Sequence, residues 1–247
     1  MPDYNSYTMS IRERVLYTVA AAFVIFCAAY VFYRSMAISL VFTPLALLYP
    51  AIRKRNIIAR RKKELNIQFK DMLYSLSSSL SAGRTVEMAF REVLKDLSVL
   101  YPDPATFILM EVRCILARLD MNETLEAALL DFSRRAGLED VDNFVDAFNI
   151  CKRTGGNISE VIKNTSSIIN DRIEVAQEVD TLLAERRFEQ KVMNVLPVLM
   201  ILLLSASAPD YMSPVFTTVA GRMVMSISIM LLAAAWFISF KINKIKL

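Results

Sequence analysis

The chain has 247 residues, is 55% hydrophobic with a mean hydropathy of +0.38, and carries a formal net charge of +4. That is too apolar for an ordinary soluble domain and fits a membrane protein with one substantial aqueous domain. It has no His and only three Cys, far apart and without a CxxC, which excludes His-based acid–base catalysis and His metal ligands and speaks against a zinc site or disulfide framework.

In chain order, residues 1–14 read as a short polar tail, loosely ordered and cytoplasmic. Residues 15–33 are apolar, uncharged and long enough to cross a membrane. Arg34 and Ser35 interrupt, and 36–52 is a second apolar stretch carrying Pro44 and Pro50. With so short a connection, 15–52 is expected to be a tight transmembrane hairpin or a partly re-entrant pair. Residues 53–63 then hold seven Lys/Arg, a basic juxtamembrane collar of the positive-inside kind, which puts the following domain in the cytoplasm.

Strand signals are absent, and 64–191 reads as six helices. The first carries Leu65, Phe69, Met72, Leu73, Leu76 and Leu80 on one face and stops at Gly83. The second starts at Thr85 and stops before Pro102. The third starts around Asp103 and Pro104, and its two apolar faces mark it as central. The fourth is expected to be capped near Asn122 and to end at Gly137; the fifth runs from Glu139 to Gly155. Gly155 and Gly156 then form a joint before the sixth, with Asn157 placed to cap it and Glu160 three residues on. The sixth helix runs as a long rod towards a second apolar pair at 192–240, which carries Pro197, and 241–247 is a basic tail. The fold class is thus an all-α membrane protein, one six-helix cytoplasmic bundle flanked by two transmembrane hairpins. Four crossings put both termini inside, as do Arg12, Arg14, the collar and the C-terminal lysines. Residues 64–191 carry 15 Lys/Arg against 22 Asp/Glu, a net of −7, so the bundle is acidic and fits a protein partner better than nucleic acid.

Several segments resemble one family. Leu80-Ser81-Ala82-Gly83, then Glu87 and Ala89, Leu125-Glu126-Ala127-Ala128-Leu129, and Arg153-Thr154-Gly155-Gly156-Asn157-Ile158-Ser159-Glu160-Val161 look like the F-domain family of type II secretion and type IV pilus systems (GspF/PilC-like). Within it they are most like the TadB/TadC branch of tight-adherence pili. The resemblance implies a non-enzymatic inner-membrane platform that couples a hexameric TadA-like ATPase to pilin assembly. Many relatives carry two bundles and this chain one, which implies a homo-oligomer or a pair with a TadC-like paralogue.

No catalytic, cofactor or metal site is expected; a GxxxxGK[ST] phosphate loop is absent. Glu139, Asp140, Asp142 and Asp146 crowd the start of the fifth helix. They either complement its dipole or form a docking patch for a basic surface of the ATPase. Arg186, Arg187 and Lys191 either anchor the rod at the membrane interface or couple its motion to the membrane helices. Gly83, Gly155, Gly156 and Asn157 read as structural joints, with a hinge at the Gly pair as the alternative. A membrane-tethered scaffold without a motor is the competing function.

Overall fold

A computed structural model of the chain describes residues 3–7 and 9–242. Among them there are ten α-helices and one 3-10 turn, with no strand. The chain divides into two compact units: Met1–Thr8 with Lys54–Val175, and Met9–Arg53 with Ala176–Leu247.

The first unit is built from parts of six helices. α3 (Tyr49–Ser81) contributes from Lys54 on, followed by α4 (Val86–Leu100), α5 (Phe107–Asp120), α6 (Leu125–Ala136), α7 (Glu139–Thr154) and the start of α8 (Ile158–Ser207). All six supply side chains to one hydrophobic core. On α3, Leu65, Phe69, Met72, Leu73 and Leu76 are fully buried, as their spacing on one helical face predicts. Phe69 sits among rings, 6.0 Å from Phe132 of α6 and 5.7 Å, edge-on, from Phe144 of α7.

Local chemistry sets the helix ends. The Thr85 and Thr124 hydroxyls accept the N–H groups of Met88 and Ala127 and so cap α4 and α6. The α6 cap is therefore Thr124 and not Asn122, which stands just before it with φ 65°. α5 begins at Phe107, later than Asp103, because Asp103 and Thr106 hydrogen-bond within a turn that precedes it. No side chain of its own caps α5; the buried Gln68 of α3 accepts the Ile108 N–H at 3.2 Å instead. Gly83 (φ 80°) and Gly155 (φ 71°) adopt the left-handed conformation just past α3 and α7. The Asn157 carboxamide oxygen accepts the Glu160 N–H, capping α8. The basic collar is not a separate segment: α3 runs through it without a break.

The second unit holds α1 (Ile11–Tyr33), α2 (Met36–Phe42), a 3-10 turn (Thr43–Leu48), the rest of α8, α9 (Pro209–Thr217) and α10 (Val219–Ile242). Among the described residues, two helices are long and apolar enough to cross a membrane, Ile11–Tyr33 and Ile158–Ser207. A third span results if Pro209–Thr217 and Ala220–Ala235, bent by 90°, count as one. The stretch 36–52 is not a continuous helix, which departs from the four crossings expected. Pro44 lacks the N–H that would continue α2, and Pro50 fits only the first turn of a new helix, α3. α8 differs the other way: it runs unbroken through Pro197, so rod and apolar segment are one helix. Arg34, left-handed at φ 46°, ends α1. Its guanidinium donates to the Ser205 hydroxyl and lies 5.7 Å over the Phe216 ring, so the charge has partners at the end of an apolar helix. Of the basic tail expected at 241–247, Lys241 and Ile242 belong to α10, and 243–247, with Lys244 and Lys246, lie outside the described residues.

Candidate functional site

The four carboxylates at the start of α7 do not form one patch. Asp140 is tied into the bundle: its Oδ1 accepts Arg172 Nη1 of α8 and its Oδ2 accepts Asn66 Nδ2 of α3, both at 2.9 Å. Asp142 accepts the Ser133 hydroxyl of α6. Glu139 and Asp146 are exposed. Glu139, Asp140 and Asp142 all lie in the first turn, where negative charge complements the helix dipole.

Asp146 belongs instead to a groove of about 650 Å³ between α6 and α7, lined also by Glu126, Leu130, Asn149, Ile150 and Arg153. Ile150 is 54% exposed and Leu130 39%, so the floor is apolar and open. Lys152 Nζ donates to Glu126 Oε1 at 2.6 Å, a bond that holds the Glu126 carboxyl below its ordinary pKa. Glu126 Oε2 and Asn149 Oδ1 are buried acceptors with no hydrogen-bond donor among the described residues. Buried acceptors without donors are costly.

The interfacial cations fall on α8. Arg186 donates to Glu189 at 3.1 Å, one turn along the helix, and both line a groove with Phe188, Val192, Met193 and Ala235 of α10. Lys191 is exposed, and the side chain of Arg187 lies outside the described residues. Among the described residues no group of three or more His, Cys, Asp or Glu is placed to hold a metal ion.

The densest polar cluster was not among the residues singled out. Glu111 of α5 is 1% exposed, and Arg135 of α6 donates to both its carboxylate oxygens at 2.6 Å. Arg135 Nε also donates to Asp131, which Arg118 reaches at 3.1 Å. Burial works against charge on Arg135 and on Asp131, but the mutual pairing outweighs it: the Arg135 pKa is raised and that of Asp131 lowered. The Tyr4 hydroxyl completes the cluster by donating to Glu111 Oε1 at 2.9 Å. One signal was available in the sequence. Glu111 is a lone carboxylate on the helical face of α5 that carries Ile108, Val112 and Ile115, all buried.

Among curated proteins and among solved structures, none matches the chain. A family model does: type II secretion system (T2SS), protein F, over residues 72–206. The matched stretch begins within α3, takes in α4 to α7 with the α6/α7 groove and the Glu111–Arg135 pair, and ends near the last turn of α8. It covers more than half of the chain, which therefore belongs to the type II secretion system protein F family.

Proposed function

We propose that this protein is the membrane platform of a Tad/Flp-like type IV pilus or a type II-like secretion machine. It sits in the inner or cytoplasmic membrane, with the bundle in the cytoplasm. It takes the conformational cycle of a TadA-like hexameric ATPase and passes it to pilin subunits leaving the bilayer. Its companion is a second copy or a TadC-like paralogue that supplies a second bundle. The observation that carries this reading is the extent of the family match: it covers α4 to α7, the end of α3 and a single helix, α8, that continues from the core into an apolar, membrane-length stretch. The chain has no phosphate-binding loop, so the energy comes from the partner.

The α6/α7 groove is the face we assign to the motor. Its exposed Ile150 and Leu130 offer apolar contact, and the exposed Asp146 offers a carboxylate to a basic side chain. The test is ATP turnover by a TadA-like secretion ATPase from the same organism, measured with and without the full-length chain in lipid nanodiscs, together with co-purification. Binding with altered turnover supports the platform. No binding by the folded protein with its paralogue present shifts the reading to a scaffold without a motor. The double change Asp146→Lys, Ile150→Asp is expected to weaken motor binding at least about tenfold, equivalent to about 1.4 kcal/mol, while thermal unfolding stays cooperative. Asp140→Lys serves as the contrast. It strips Asn66 and Arg172 of their acceptor and is expected to cost the bundle about 1–3 kcal/mol.

A further inference from the structure

The residues before α1 were expected to be loose, yet Asp3–Tyr7 packs onto the bundle. Tyr4 is 2% exposed, its ring edge-on to Phe107 with centroids 5.4 Å apart. Its hydroxyl reaches the buried Glu111, and its N–H donates to the Arg135 carbonyl at 3.1 Å. Asn5 Nδ2 donates to the Arg134 and Arg135 carbonyls, each at 3.2 Å. Those carbonyls belong to the last turn of α6, where a helix has no internal donors left to offer. Asn5 Oδ1 accepts Lys62 Nζ at 2.7 Å, and the same ammonium donates to the Gly137 carbonyl at 2.9 Å. The Arg61 guanidinium lies 4.5 Å over the Tyr7 ring. Gly137 is fitted to this arrangement twice. Its φ of 54° is left-handed, and a Cβ there would stand 2.1 Å from Asn5 Oδ1.

The charged part of the receptor is held by bonds of its own. Glu111 and Arg135 hold each other through two hydrogen bonds, and Asp131 fixes the other edge of the guanidinium. A pre-organised pocket of this kind spends little free energy on rearrangement when a ligand arrives. The occupant, in contrast, is short. One buried ring anchors it, and Asn5, although hydrogen-bonded, is itself exposed. Tyr4 and Lys62 lie outside the stretch shared with the family, whereas Glu111, Arg135 and Gly137 lie inside it.

We propose that this cleft is a recognition site for a tyrosine–asparagine peptide segment, that its resident ligand is the chain's own residues 3–7, and that the segment is a releasable latch. When docked, it makes a third point at which the chain passes between the bundle and the apolar helices, beside those at Arg53/Lys54 and Val175/Ala176. Release withdraws the Tyr4 ring from the core, leaves the Glu111–Arg135 pair in place and frees the lead into α1.

The test uses the full-length chain lacking residues 2–8, in detergent micelles, titrated with a fluorescent synthetic peptide of residues 2–9. Saturable binding is expected, about tenfold weaker for the peptide with Tyr4→Phe, which loses a hydrogen bond to a charged acceptor, and weakened when the receptor carries Gly137→Ala, whose Cβ displaces the Asn5 side chain. No saturable binding to a cooperatively unfolding shortened chain, or equal binding of both peptides, overturns the proposal. If the shortened chain does not fold, Tyr4→Phe in the intact protein decides by amide exchange. The latch requires faster exchange at residues 3–7 with α7 unchanged. Unchanged exchange at 3–7, or loosening of the whole bundle, overturns it.

Discussion

Glu111→Ala is expected to destabilise the bundle by about 3–5 kcal/mol, the range for breaking a buried ion pair from one side. The size follows from what remains. Arg135 keeps a side chain only 15% exposed and loses both of its bonds to the Glu111 carboxylate, while Asp131 stays at 2.8 Å. Tyr4 loses its acceptor in the same step. The double variant Glu111→Met, Arg135→Met removes both charges together and is expected to cost less than either single change, because no buried charge is left alone. Hydrogen exchange of α5 and α6 amides across a denaturant series reads these differences. Additive single costs would contradict the coupling. Intrinsic tryptophan fluorescence would not serve, since the one Trp, Trp236, lies on α10 in the other unit.

This cluster also marks the boundary of what the sequence made legible. Features that depend on a few adjacent residues were readable. Gly83, Gly155 and Asn157 do what local backbone chemistry predicts of them, and the buried face of α3 follows from spacing alone. Features that depend on distant partners were not. Tyr4 and Glu111 are 107 positions apart, and nothing near Tyr4 distinguishes it from any residue of a polar tail. Four carboxylates at the start of α7 look alike in the sequence. They separate only because Asn66, Arg172 and Ser133 arrive from three other helices to claim Asp140 and Asp142.

Helix continuity was the other difficulty, and proline shows why. Pro44 and Pro50 lie within six residues of one another and break the second apolar stretch. Pro197 lies deep in a long apolar helix, where the turns on either side maintain the α-helix around the missing N–H. The same residue type therefore has opposite outcomes, decided by how much uninterrupted helix flanks it. The collar poses the reverse case. Its Arg and Lys are good helix formers with no cap among them, so α3 runs straight through a segment whose charge suggests a boundary.

The largest apolar effect is expected at Phe69→Ala, a loss of about 3–5 kcal/mol. Phe69 is fully buried at the place where α3 meets α6 and α7, with the Phe132 and Phe144 rings against it and the Phe148 ring, tilted, 6.1 Å beyond Phe144. Removing the ring opens a cavity whose walls come from three helices. None can close it without dragging its own buried neighbours, so relaxation recovers little. Ile150→Ala supplies the comparison: the side chain removed is 54% exposed, and the expected cost is at most about 0.5 kcal/mol. The two variants should also part in function. Phe69→Ala is expected to lower motor binding only as far as it depletes folded bundle, whereas Ile150→Ala is expected to lower binding with the bundle intact. Amide exchange and co-purification on the same samples distinguish the cases. A Phe69→Ala protein with under about 1 kcal/mol of loss would mean that the three-helix aromatic contact is not where the bundle's cohesion resides.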